Sequence, residues 1–126
     1  MTEPHIRSRL EARGISLAPV EQRWITEVDR IIFDELVEGV FTDASRRRYV
    51  EIIQRMKDEE GCDGVALVCT EIPLLVTADV SPVPILDSTR LLARAALEVC
   101  VGTRPFPTWR GGPIDGEGHP DRSREV

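Results

Sequence analysis

The three cysteines are the most reactive side chains of this 126-residue chain, and their sequence settings differ. Cys69 stands in Val68-Cys69-Thr70-Glu71, at the end of the apolar run Gly64-Val65-Ala66-Leu67-Val68. Such a run reads as a buried parallel strand. Thr70 suits the cap of a helix beginning at Glu71, and Pro73 is tolerated in a first turn. A thiol at a strand-to-helix junction meets unpaired amides and the positive end of the helix dipole, which favour a thiolate. The same amides can bind a carboxylate. A thiolate placed there can remove the proton from an amino-acid Cα, given exclusion of water. Taken alone the pattern is a weak signal: an inert cysteine at a buried strand end is the commoner case, and the residues alone leave both open.

The other two thiols do not suit the same work. Cys62 precedes Cys69 by seven residues, which is roughly 23 Å of extended chain. Cys100 follows Ser88 by twelve, which is roughly 18 Å of helix. Both fall on the far side of the layer from Cys69 and read as packing or surface residues.

The elements that must position Cys69 are legible as periods and punctuation. Residues 5–13 form a short charged helix that stops at Gly14, and residues 15–20 are a strand candidate closed by Pro19. Residues 21–38 are the best helix, with Trp24, Ile25, Val28, Ile31, Ile32, Leu36 and Val37 at helical spacing and Gly39 as the stop. Thr42-Asp43 suit the N-cap of another helix, which carries Tyr49, Val50, Ile53 and Met56 on one face and stops at Gly61. Arg46-Arg47-Arg48 on it reads as a solvated face. Val83-Pro84-Ile85-Leu86 is a second buried strand, and Asp87-Ser88 cap a last helix to about Val99. Residues 102–126 are rich in Gly, Pro and Arg and have no period, so they read as a disordered tail after a domain of residues 1–101. The alternation implies an α/β fold with a parallel sheet flanked by helices. Ligands in such sheets sit at the carboxyl ends of strands. Cys69-Thr70 and Asp87-Ser88-Thr89 occupy two such ends.

Composition excludes some classes. The net charge of −6 argues against a nucleic-acid surface, which needs a basic patch. No apolar run approaches the roughly 20 residues that span a bilayer, and no signal peptide is visible at the N-terminus. Three cysteines without framework spacing do not read as a secreted disulfide scaffold, so a reducing cytoplasm is expected.

Gly64-Val65-Ala66-Leu67-Val68-Cys69-Thr70-Glu71-Ile72-Pro73-Leu74-Leu75 resembles the second cysteine motif of the aspartate/glutamate racemase superfamily. Its usual form is an apolar strand followed by Gly-Cys-Thr-Glu-Ile, and Val68 stands here where that glycine is usual. Ile31-Ile32-Phe33-Asp34-Glu35-Leu36, Ser45-Arg46 with Tyr49, and Val83-Pro84-Ile85-Leu86-Asp87-Ser88-Thr89 are similar to flanking blocks, in the right order. The resemblance runs from about residue 2 to residue 101. Glu71, in place of the histidine of glutamate racemases, resembles the aspartate-racemase branch, which includes broad-specificity enzymes.

The resemblance implies a PLP-independent isomerase with no cofactor and no metal. A small amino acid such as aspartate would lie between two similar α/β lobes, with one cysteine on each face of Cα. Cys69 would be one of the two bases, Thr70 would help hold the substrate carboxylate, and Glu71 would tune the motif. The first lobe's Cys-Asn-Thr motif is absent from this chain, as is a lysine that some members carry near helix 21–38. The expectation is therefore one incomplete lobe of a two-lobed fold, completed as a homo-oligomer or by a partner chain that supplies the missing lobe. The alternatives are an inactive truncated remnant or interaction module of the same fold, and a one-base decarboxylase or isomerase using Cys69 alone.

Overall fold

A computed structural model describes residues 4–105 of the chain. Helices dominate it. Helix α1 spans Pro4–Glu11, α2 Gln22–Ile31, α3 Asp43–Glu60, α4 Ile72–Leu75 and α5 Ser88–Cys100; the strands are β1, Val65–Leu67, and β2, Ile85–Asp87. The fold is α/β, as the sequence implies. The expected strand over residues 15–20 does not form, and this stretch has no regular structure. Six residues of strand-like composition have no neighbour here to share a ladder with.

Helix α2 does not continue to residue 38 as an α-helix. Residues Ile32–Leu36 form a π-helical segment, with the Val37 amide donating to the Ile32 carbonyl at 3.0 Å. The wider turn rotates the face that follows. Ile31 and Leu36 become fully buried, while Phe33 and Val37 turn outward, 68% and 56% exposed. Val37, placed by its spacing on the inner face, is thus displaced by the change of helical type.

Helix α3 begins at Thr42, whose Oγ1 accepts the Ser45 amide at 3.0 Å. It ends at Gly61, held at φ +69° in the left-handed region where a side chain would be strained. The Gly61 amide donates to the Lys57 carbonyl and the Cys62 amide to the Met56 carbonyl, both at 3.2 Å, so the final turn's carbonyls are not orphaned.

The arginine run on α3 is not a solvated face. Arg46 Nε donates to the Leu75 carbonyl at 3.0 Å, tying α3 to the end of α4. Arg48 grips the Glu27 carboxylate of α2 with two bonds of 2.5 and 2.7 Å. Its guanidinium also lies 4.8 Å from the ring centre of Trp24, with those of Arg23 and Arg55 at 4.5 and 5.4 Å. Trp24 is buried beneath these cations and the aliphatic stems that carry them. Arg47 alone of the three is exposed.

The two strands pair in parallel, with Val65 opposite Ile85, Ala66 opposite Leu86 and Leu67 opposite Asp87. Leu67 joins the core formed by Ile31, Leu36, Tyr49, Ile53, Ile72, Leu75, Val76 and Val83. The expectation of strands buried on both faces is not met. Ala66 is exposed, Leu86 is 50% exposed, and α5 contributes no buried residue. Parallel sheets are ordinarily covered by helices on both faces; here one face of the pair is open.

The chain divides into two compact units, the first ending at Arg94 and the second starting at Ala95 within α5. In the second, α5 closes at Gly102, where the Thr103 Oγ1 and amide both donate to the Glu98 carbonyl at 3.0 Å. Most of the tail expected over residues 102–126 lies outside the described residues.

Candidate functional site

Cys69 lies two residues beyond β1, at the carboxyl end of the sheet, where parallel α/β sheets present their ligands. Leu67, the last residue of β1, pairs with Asp87 at the end of β2, so both strand ends are brought together. Ser88 fastens them: its hydroxyl donates to the Leu67 carbonyl at 3.0 Å. Asp87 Oδ1 accepts the amides of Thr89 and Arg90 at 3.0 and 3.1 Å and caps α5 as its sequence suggests. The role of Ser88 was not legible, because a hydroxyl at a helix start reads as a cap and its actual acceptor lies 21 residues away.

Thr70 and Glu71 follow without regular structure, and α4 starts only at Ile72. The N-cap is Glu71 rather than Thr70, and its side chain makes no capping bond. Instead the Glu71 carboxylate turns back. Its Oε2 accepts the Cys69 thiol at 2.9 Å and the Thr70 hydroxyl at 2.6 Å. The three residues singled out in the sequence are therefore in mutual contact. The support expected from a helix dipole is weak, because α4 has four residues and aligns few peptide dipoles. A carboxylate, not a run of amides, is the group that meets the thiol.

These donors lower the pKa of Glu71. The Cys69 thiol contributes most, then the Thr70 hydroxyl, while burial opposes them; the backbone amides of Glu71 and Thr70 add to the lowering. Glu71 is thus an anion at neutral pH. Behind Cys69 lies Tyr49 of α3, 5% exposed, whose hydroxyl donates to the Val28 carbonyl at 3.4 Å. Burial raises the pKa of Tyr49 first, and negative charge at Cys69, Asp29 and Glu35 adds to it. The phenol therefore stays neutral. Tyr49 reads in sequence as one more apolar position of α3, so its place behind the thiol was not foreseen.

Cys62 stands apart from this cluster, and Cys100 belongs to the second compact unit. Cys62 follows α3 and precedes the amino end of β1, and burial, then Glu60 and Asp63, raise its pKa. Cys100 is exposed at the end of α5. Depressions among the described residues include one lined by Ser81, Pro82 and Pro84 among others and one by Glu27, Arg30, Glu35, Ser45 and Arg48; Cys69 lines neither. Cys69 itself is half-buried against the core, beside Val68 at 64% exposure. Among the described residues no three His, Cys, Asp or Glu side chains stand together as a metal site. No helix among them is long and apolar enough to cross a membrane.

The profile of the Asp/Glu/Hydantoin racemase family matches residues 2–96. The chain belongs to that family. Among solved structures it is similar to a putative Asp/Glu racemase from Yersinia pestis, at 35% identity over 75% of this chain, with a TM-score of 0.68. It is also similar to an aspartate racemase homologue from Pyrococcus horikoshii, at 28% identity over 78% of this chain, with a TM-score of 0.72. The chain spans only 41% and 42% of those two proteins. The racemase fold is thus present in part.

Proposed function

We propose that this chain supplies one half of a cofactor-independent amino-acid racemase site, in which Cys69 exchanges a proton with the Cα of aspartate or a related amino acid. The observation that carries the proposal is the Cys69–Glu71–Thr70 cluster at the carboxyl end of β1 in a chain of this family. Removing a Cα proton needs a group within hydrogen-bond reach of it and a means of holding the neighbouring carboxylate. Cys69 is the former. The Thr70 backbone amide serves the latter, and Glu71, held by the Thr70 hydroxyl, orients the thiol.

Inversion needs a second acid–base group on the opposite face of Cα. Cys62 precedes the amino end of β1, and the first lobe's cysteine motif is absent from this sequence, so that group comes from outside these residues. The chain spans about two fifths of its solved relatives, which leaves room for the group in the remainder of the fold. A second copy or a partner chain would supply it. A reducing cytoplasm suits a free catalytic thiol.

Racemisation of L-aspartate, followed by chiral separation, tests this. The chain mixed with the complementary remainder of the Yersinia pestis relative is expected to form D-aspartate, and the same mixture with Cys69→Ser to form none. A mixture in which Cys69→Ser racemises as fast as the original would end the proposal. The exposed apolar side chains around the thiol, Val68 and Leu86, favour a second reading: an interaction module that keeps the fold without the activity. That reading expects Cys69→Ala to leave partner binding unchanged.

A further inference from the structure

Cys69, Thr70 and Glu71 sit in a stretch with little regular structure of its own. Residues 68–71 belong to no helix or strand, and α4 adds only four residues. A helix that short does not hold itself together. The bonds of 2.9 and 2.6 Å within the cluster fix its side chains to one another, and other groups must fix the cluster to the fold. Apolar packing of Cys69 against the core is non-directional and does not set where the thiol points.

Two side chains from distant elements supply the direction. Ser88, the first residue of α5, donates its hydroxyl to the Leu67 carbonyl at 3.0 Å, two residues before Cys69. Arg46 of α3 donates from Nε to the Leu75 carbonyl at 3.0 Å, at the end of α4. The segment 67–75 is thus held at both ends by directional bonds. Each donor is itself anchored. Asp87 pairs with Leu67 across the strands, and its Oδ1 accepts the Thr89 and Arg90 amides, which fixes the backbone around Ser88. Another nitrogen of Arg46 donates to the Asp43 carboxylate. Ile72 and Leu75 are buried, so packing also anchors the carboxyl half of the segment. In the amino half Val68 is exposed, and there the Ser88 bond sets the course of the chain.

We infer that Ser88 and Arg46 are positioning residues of the site: they clamp segment 67–75 through the carbonyls at its two ends and so set where the Cys69 thiol meets Cα, Ser88 the more strongly because it holds the nearer end. The inference rests on the proposed racemase reading. Neither side chain touches substrate in it. Proton transfer needs its two heavy atoms within hydrogen-bond reach, and misplacement by about 1 Å can cost roughly a hundredfold. Substrate binding draws on contacts from both halves of the completed site, whereas the proton step depends on one distance. Loss of the clamp therefore falls on kcat rather than on KM.

Three variants test this. Ser88→Ala removes the hydroxyl, Ser88→Thr keeps it, and Arg46→Lys keeps the charge but loses Nε. In the full chain, backbone hydrogen exchange followed by mass spectrometry is expected to quicken about fivefold over residues 68–75 in Ser88→Ala, the worth of one net hydrogen bond. Ser88→Thr should return it to the original rate, and α3 should exchange as before. With the chain completed by the remainder of the Yersinia pestis relative, Ser88→Ala is expected to lower kcat for L-aspartate at least about tenfold with KM within about a factor of two, Arg46→Lys to lower it less, and Ser88→Thr to restore it. Exchange over residues 68–75 that Ser88→Ala leaves unchanged, or quickening shared equally by α3, would overturn the inference. So would a kcat lowered equally by Ser88→Ala and Ser88→Thr, or a loss that appears in KM alone. A completed original that forms no D-aspartate ends the racemase reading instead, and the clamp then stands or falls on the exchange rates.

Discussion

At the scale of single residues, the candidate site is a carboxylate holding a thiol and a hydroxyl. The motif Cys69-Thr70-Glu71 was legible because a reactive residue follows an apolar strand. Which way Glu71 points was not legible, since a carboxylate in a first turn reads as a dipole partner and only coordinates show it folded back. Cys69→Ser is expected to lower racemisation by at least about a hundredfold, the lower range for a lost acid–base group, as measured with the completed site. Thr70→Val should lower kcat more than it raises KM, because the lost hydroxyl holds the Glu71 carboxylate against the thiol. Acid stability also belongs here. Glu27, Glu35 and Glu71 have pKa values below their ordinary 4.5, and Asp79 below its ordinary 3.8, mainly through bonds from Arg48, Ser45, Cys69 and Thr77 respectively. A depressed folded-state pKa stabilises the native state above the unfolded value and loses that contribution as pH falls through the folded one. Thermal unfolding should therefore be flat with respect to these groups above about pH 5 and fall steadily below about pH 4. A melting temperature that rises on acidification from pH 5 to pH 3 would contradict this assignment.

At the scale of elements, periods and caps located most of the fold. Thr42, Gly61 and Asp87 act as end signals where expected because each bonds within its own few residues. Local chemistry was not enough elsewhere. The stretch over residues 15–20 has strand composition but no partner to pair with, and pairing is non-local. The π-helical segment is invisible to a periodic reading, because one wider turn leaves the residue types unchanged while moving Val37 outward and keeping Leu36 in. The arginines of α3 looked solvated because their partners, Glu27 and the Leu75 carbonyl, are 21 and 29 residues away. Thr42→Ala is expected to cost about 1 kcal/mol by chemical denaturation, the usual cost of an N-cap. Leu75→Ala, which empties a site at 0% exposure under α4, should cost about 3 kcal/mol. Because Leu75 lies just beyond the candidate site, its loss should also loosen the Arg46 tether to the Leu75 carbonyl and raise the alkylation rate of Cys69.

At the scale of the whole molecule, the chain carries a recognisable part of a larger fold. Among the described residues its sheet has two strands, and isolated pairs are marginal without further cover. Val68, Leu74, Leu86, Leu91 and Leu92 are each half exposed or more, a concentration of apolar surface around the strand ends and the start of α5. Exposed apolar patches of this kind mark surfaces that other protein covers. The family was legible from the order of its blocks, and so was the absence of the first lobe's cysteine motif. The openness of one sheet face was not, because a continuous apolar run reads the same whether or not a helix covers it. The chain alone is expected to bind a hydrophobic dye such as ANS, and the complementary part of the fold should suppress that fluorescence. Unchanged dye binding after mixing would show that the partner covers another surface. The most direct measurement of the central claim is deuterium incorporation at the Cα of aspartate in D₂O, catalysed by the chain completed with the remainder of the fold and read by proton NMR. Both enantiomers should exchange with the original chain, and Cys69→Ser should lose exchange of the enantiomer whose Cα–H faces residue 69. Exchange of both enantiomers that survives Cys69→Ser undiminished, or its absence from the completed original, would contradict a role for Cys69 at Cα.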